Sequence, residues 1–356
     1  MSTLPAKLEQ VLERSEWFPM VSRYQVSSVA RSTCQLVSTL IPYLALLGLM
    51  YWSLRWSYLI TLLLAIPAAG FAVRLFVLSH DCGHHSFFKS KRWNDLWGSV
   101  CAFVVLTPYA YWRNEHARHH ATSGNLDRRG VGDIWTLTVS EYLAEPRLVR
   151  LVYRLYRNPL VLFCVGPLYL FVIKYRFWAK WAGKADRRSV LLTNLSLVVV
   201  LLAIHYTIGL KALLMIQLPV LALASSAGVW LFYVQHQFED VYWEKTAGWN
   251  FFRQAIQGAS CYKLPRVLQW FSASIGYHHI HHLNPRIPNY RLEKCHREND
   301  VFQFANVITL WTSLKSLRFR LWDEHSRRMV SLRGLRARVA NAVQKVAQPL
   351  PCNLTR

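Results

Sequence analysis

Four apolar runs of about twenty residues constrain this 356-residue chain more than anything else in it. They cover 34–52, 57–78, 190–208 and 212–234, and only Arg74 interrupts the second, near its end. A helix crosses the hydrocarbon of a bilayer with about 20 apolar residues, because each backbone N–H and C=O must find its partner within the segment. The runs therefore read as transmembrane helices. The connectors within the two pairs, SLRW and GLK, are so short that two tight helical hairpins are predicted. Segments 96–112 and 159–173 are shorter and carry Pro108 and Pro167; they are expected to be interfacial or re-entrant rather than spanning.

The formal net charge of +23 sits on a chain that is 53% hydrophobic. That pairing suits either a nucleic-acid binder or a membrane protein with a basic cytoplasmic face. Zinc-finger spacing, an RNA-recognition signature and a basic region with heptads are all missing from the sequence, so nucleic acid is not an expected partner. Lys and Arg crowd instead into 79–189, including Arg128, Arg129, Arg187 and Arg188, whereas the connectors within the hairpins carry only Arg55 and Lys211. The positive-inside rule then places 79–189 in the cytoplasm. Each hairpin returns to its starting side, so all segments outside the hairpins share that compartment. Trp52, Trp56, Trp93 and Trp97 lie near the ends of apolar runs, where interface anchors are expected.

The expected organisation is a single domain over 1–356. Segment 1–33 is a cytoplasmic N-terminal segment without a signal peptide's basic start and apolar block. The first hairpin (34–78), a cytoplasmic region (79–189), the second hairpin (190–234) and another cytoplasmic region (235–310) follow. The remainder, 311–356, is a basic amphipathic tail, read as a helix that either lies on an anionic leaflet or is solvated. Cys34, Cys82, Cys101, Cys164, Cys261, Cys295 and Cys352 are odd in number and form no CxxC. They read as small apolar fillers, not a disulfide framework.

Eleven of the fourteen histidines fall in four places: HDCGHH at 80–85, HARHH at 116–120, HHIHH at 278–282, and His236 at the end of the fourth run. On a helix, positions i, i+3 and i+4 share a face. His80 and His84 then point together, as do His116, His119 and His120, and likewise His278, His281 and His282. At about 100° per residue, His85 and His279 turn away from their neighbours and are the weaker ligand candidates. With His236 the convergent set holds nine imidazoles, more than one metal takes, so two metals sharing a pocket are expected. Imidazole suits Fe, Zn, Cu or Ni. Asp81, Glu115, Glu239 and Asp240 flank the clusters and could accept a ligand's second N–H, or could equally be interfacial charges. His205, inside the third run, has no ligand-spaced partner and reads as an ordinary polar residue. A transporter pathway would place such residues near the midplane, whereas these clusters lie at or beyond the ends of the runs.

HDCGHH, HARHH and HHIHH resemble the three histidine boxes of the membrane fatty acid desaturases. The segments GVGDIWTLTVSEY (130–142), VQHQFED (234–240) and HHLNPRIPNYRL (281–292) look like the acyl-lipid branch that includes the delta-12 (omega-6) enzymes. The likeness runs from about Val73 to His296. It implies an all-α integral membrane fold of four spans with a cytoplasmic histidine-rich cap. It also implies a non-haem centre of two iron ions with dioxygen as co-substrate. His80, His84, His116, His119, His120, His278, His281 and His282 are the implied box ligands, with His236 as the additional one. The implied reaction inserts a cis double bond, delta-12 as the first expectation, into the acyl chain of a membrane lipid. Related hydroxylases and carotenoid ketolases share similar boxes, so the boxes leave the outcome open; a non-catalytic metal carrier is a more distant alternative. The chain lacks the His-Pro-Gly-Gly motif of a fused cytochrome domain, so an external ferredoxin or cytochrome is expected to supply electrons. An unactivated methylene needs a strong oxidant held in a dry, apolar tunnel; Tyr109, Trp112, Trp135 and Trp230 are candidate tunnel walls, although interfacial anchoring would explain them as well.

Overall fold

Ser28 and Ser57 set where the first two long helices begin. Each hydroxyl accepts from a backbone N–H of the first turn, Arg31 N at 3.4 Å and Leu59 N at 3.2 Å, satisfying a donor that no earlier turn can reach. In the computed structural model, which describes residues 13–335, these helices are α1 (Val29–Ser53) and α2 (Tyr58–Gly83). After them come α3 (Lys91–Val104), α4 (Tyr109–Thr122) and α5 (Arg147–Tyr156). Two more long helices, α6 (Lys184–Thr207) and α7 (Leu210–His236), are separated at Gly209, whose φ of +84° is a left-handed conformation that glycine adopts without steric cost. The short α8 (His278–Leu283) and α9 (Asn289–Arg297) complete the helices used below.

Among the described residues, α1, α2, α6 and α7 are the four helices long and apolar enough to cross a membrane. They overrun the apolar segments that announce them, because polar residues such as Lys184–Arg188 continue the helical turn. At 1.5 Å per residue they measure about 36–41 Å, against about 30 Å of hydrocarbon. His80 stands about 33 Å from the start of α2 and His236 about 39 Å from the start of α7, so both lie past the length that hydrocarbon needs. The outer face of α6 exposes Leu191, Leu195, Val198, Val199 and Leu202, an apolar stripe that lipid would cover.

α2 is the most enclosed of the four, packed against α1, α3 and α7. Ala65, Ala68, Ala69 and Ala72 are buried along it, and such small side chains let neighbouring backbones approach. Arg74, the one charge in its apolar run, is buried but partnered: it donates to Thr39 Oγ1 of α1 at 3.1 Å and to the Trp270 carbonyl, and its guanidinium lies 4.1 Å over the Trp270 ring. α3 meets α4 at Gly98, where a Cβ would strike the Tyr109 ring. Gly98→Ala is therefore expected to cost about 1–3 kcal/mol of stability, the usual penalty for overpacking. An unchanged thermal transition of the detergent-solubilised variant would contradict this contact.

The stretch 96–112 forms α3 and the start of α4, interrupted before Pro108 where Leu106 takes a φ of +58°. The stretch 159–173 belongs to an irregular helical segment, Val161–Arg176, bent by 59° against α5.

Two expectations need correction. The fold is mostly helical but not all-α: β1 (Leu137–Thr138), β2 (Cys261–Lys263), β3 (Val307–Thr309), β4 (Leu321–Asp323) and β5 (Arg328–Val330) form two small sheets, ordered β1-β4-β5 and β2-β3. The basic C-terminal stretch is also not a continuous helix where it is described. After two short helical segments, Leu310–Ser313 and Leu314–Arg318, β4 pairs antiparallel with β5 and parallel with β1. The reason is tertiary. Arg157 donates to the Phe319 carbonyl at 3.0 Å and Tyr153 donates to that of Arg320. These partners from α5 and its C-terminal end are invisible to local periodicity. Residues 336–356 of the tail lie outside the described residues.

Candidate metal centre

The C-terminal end of α2, the second half of α4, the last residue of α7 and the whole of α8 meet, and the nine imidazoles singled out in the sequence meet with them. His80, His84, His116, His120 and His281 bring one ring nitrogen each within 4.8 Å of one another, and His119, His236 and His282 do the same. His278 joins the second group, its Nε2 2.9 Å from that of His236 and 3.1 Å from that of His282. The groups adjoin through His120, whose Nε2 is 3.0 Å from that of His281 and whose ring stacks on His282 with centroids 4.2 Å apart.

The two groups do not follow the boxes. On α4, His116 and His120 serve the first group and His119 the second. On α8, His281 serves the first, and His278 and His282 the second. One face of each helix thus straddles both groups, which spacing alone could not divide.

The hydrogen bonds of the rings bear on what they are prepared to hold. His119 Nδ1 lies 2.6 Å from Asp133 Oδ1, and His236 Nδ1 lies 3.2 Å from the Gly258 carbonyl. An ionised carboxylate and a carbonyl can only accept, so each Nδ1 must carry the proton. With Nδ1 protonated on neutral rings, the two Nε2 atoms, 3.2 Å apart, face each other as lone pairs, an arrangement that a shared cation would satisfy. Burial holds the imidazoles of His84, His116, His120, His278, His281 and His282 well below the ordinary histidine range, as metal ligation needs neutral rings. His84 Nε2 is buried with no hydrogen-bond partner in the protein. A metal–imidazole bond of about 2.1 Å places adjacent nitrogens about 3.0 Å apart in an octahedral arrangement. The contacts of 2.9–3.2 Å in both groups fit that spacing. The donor set therefore suits two metal ions, with no sulfur in either group.

His85 and His279 stand outside both groups. His85 has a φ of +54°, is exposed, and approaches Arg113 at 3.5 Å. Accordingly, His84→Ala is expected to lose most activity while His85→Ala keeps most of it, read as product formed per unit of expressed protein. The reverse order would mean that the first box is used with the longer spacing. His205 is exposed on α6 against Tyr206.

The flanking acids divide sharply. Asp81 does support the centre: its Oδ1 is 3.3 Å from His80 Nδ1, and its Oδ2 accepts from the Asn289 backbone at 2.7 Å and side chain at 2.9 Å. The other three candidates contribute no such contact. Glu115 accepts from Tyr175 at 3.3 Å and pairs with Lys174 at 3.8 Å. Asp240 pairs with Arg328 at 2.9 Å on the surface, and Glu239 is exposed. Adjacency in sequence does not fix contact here: Glu115 points to a different side of α4 from His116, and Glu239 and Asp240 lie beyond the end of α7. The acid that sequence reasoning missed is Asp133, fourteen residues beyond His119. The signal was the GVGD turn: Gly132 takes a left-handed φ of +75° that glycine favours, and a Cβ there would lie only 3.1 Å from the His119 side chain and 3.2 Å from the Glu115 carbonyl. Of the four candidate tunnel aromatics only Trp112 reaches the imidazoles, stacking on His116 with centroids 4.7 Å apart. Tyr109 fills the contact with α3, Trp135 packs on Tyr153 and Tyr156, and Trp230 packs on Phe163 and Tyr233.

Comparison with known proteins decides the family. The Fatty acid desaturase family model matches residues 53–311, which include all three boxes and His236. The chain belongs to the fatty acid desaturase family. A Bacillus subtilis fatty acid desaturase is 47% identical over 316 residues, 89% of this chain and 90% of that protein. More distant desaturases include a Synechocystis sn-1 oleoyl-lipid 12-desaturase, 29% identical over 62% of this chain and 63% of that one. A Nostoc sn-1 acyl-lipid omega-3 desaturase (ferredoxin) is 30% identical over 62% of each. Membership makes this desaturase an oxidoreductase, and its four candidate membrane helices and histidine clusters accord with a membrane enzyme built around metal.

Proposed function

We propose that the protein inserts a cis double bond into the acyl chain of a membrane lipid at a centre of two iron ions. In balance, two adjacent methylenes, one dioxygen, two electrons and two protons give one alkene and two waters. The observation that carries this reading is the pair of adjoining imidazole groups, five and four rings, at the ends of apolar helices. His80, His84, His116, His120 and His281 would hold one ion, and His119, His236, His278 and His282 the other. Bound there, iron would supply the dioxygen activation that no side chain can provide. The chain's own residues do the rest. Asp133, Asp81 and the Gly258 carbonyl fix the orientation and tautomer of His119, His80 and His236. Trp112 and Phe232 cover the rings and keep water from them.

The contacts between the histidine groups support four spans with the centre in the cytoplasm. His119 and His236 touch at 3.2 Å, so the chain between them must cross the membrane an even number of times. α6 and α7 account for two crossings. The bent pair formed by α5 and Val161–Arg176 would make a third and is therefore assigned as re-entrant. The basic loop 79–189 supports the cytoplasmic side through the positive-inside rule. Electrons would come from an external carrier, with ferredoxin the class named for the Nostoc relative. Delta-12 is supported by the Synechocystis enzyme alone among the three relatives described above, since the Bacillus relative's name specifies no position.

The test is the fatty acid profile of a host lacking polyunsaturates, with a donor present and double bonds located by mass spectrometry. A new diene is expected, and its position reads the regiochemistry. Oxygenated acyl chains would instead support a hydroxylase; an unchanged profile with the protein expressed would overturn the reading.

A further inference from the structure

Away from the nine-ring centre, a second kind of donor cluster is assembled from β2, α8 and α9. His279 lies on α8 about 100° from His278, so it faces away from the centre, and it is fully buried. Its Nε2 is 2.9 Å from Nδ1 of His296 on α9, and the Ser260 carbonyl lies beside the His279 ring. Cys261, the first residue of β2, brings its Sγ within 4.8 Å of a ring nitrogen of each histidine. The cysteine is held in place by its backbone, which donates to the Asn306 carbonyl at 2.8 Å and pairs with Val307. Cys261 is buried and His296 half-buried, so the cluster is closed on the protein side and open toward His296.

We propose that Cys261, His279 and His296 form a third metal site, a mononuclear one for a borderline-soft divalent cation such as zinc. The donor set differs in kind from the neighbouring centre. One thiolate and two imidazoles with a fourth position left to solvent suit zinc's tetrahedral preference, and thiolate selects against the harder cations. The plainer arrangement, a His279–His296 hydrogen bond beside a filler thiol, does not need the sulfur within reach of both histidines. Two of the ligands come from β2 and α9 and the third from α8 itself, so the metal would brace α8 from a side outside the nine-ring centre. The inference does not depend on what the nine-ring centre holds.

Cobalt(II) tests it, because only a cysteine-containing site gives a thiolate-to-cobalt charge-transfer band. The purified full chain, stripped of metal and loaded with cobalt(II) alone, is expected to bind three ions and to show this band. Cys261→Ser and His296→Ala are each expected to lose one ion, and Cys261→Ser to lose the band as well. The wild-type measurement needs no variant to fold. A wild-type protein with no thiolate band, or a band kept at full intensity in Cys261→Ser, would overturn the site. A wild type that binds one cobalt and shows the band would uphold this site and refute the two-metal reading of the nine-ring centre.

Discussion

His119→Ala is expected to bring desaturated product below about 1% of the wild-type level. Loss of a group that merely orients a ligand already costs about 10–100-fold in metal affinity or activity, and His119 is placed as a ligand itself. Its Nε2 faces that of His236 at 3.2 Å and its Nδ1 faces Asp133 at 2.6 Å, so it links the second group to its buried carboxylate. Removing it leaves three imidazoles in the second group and an uncompensated Asp133 carboxylate beside them. Product analysis in the expressing host, together with iron content of the purified variant, checks this. Retention of most activity would remove the middle box from the mechanism.

Asp133→Ala is the second large effect, expected to lower activity about 10–100-fold through weaker iron binding. The carboxylate is buried, its Oδ1 engaged by His119 and its Oδ2 by the Gly130 N–H at 3.0 Å. Without it, His119 is free to take the other tautomer or to rotate. Asp133→Asn retains a carbonyl that can accept from Nδ1–H and should recover part of the loss. Asp240→Ala, which removes only a surface pair with Arg328, should leave activity unchanged. Iron titration separates orientation from folding: equal affinity in Asp133→Ala and wild type would deny Asp133 this role.

Much of this was legible in the sequence because it rests on short-range periodicity. Twenty-residue apolar runs announce long helices, and HxxHH on a helix must present its histidines together. Even His236, alone in sequence, was marked by its position at the end of an apolar run. What stayed hidden depends on long-range contact. Asp133 reaches His119 only because the GVGD turn folds back against α4. The C-terminal stretch reads as an amphipathic helix until α5 supplies Tyr153 to it and the residue after α5 supplies Arg157, and until β1 supplies an edge to pair with. Arg157 itself, wholly buried, also donates to Gln237 Oε1 at 2.8 Å and to the Trp135 carbonyl at 3.2 Å, tying the loop after Asp133 to the residue after His236. Cys261 looked like filler because its histidine partners come from helices 18 and 35 residues further along.

The most direct measurement of the two-metal claim is the iron stoichiometry and Mössbauer spectrum of the purified, iron-loaded chain. Two irons per chain are expected, with two quadrupole doublets of equal area, because five imidazoles surround one position and four the other. Saturation at a single iron per chain, in protein that still forms product, would contradict the account.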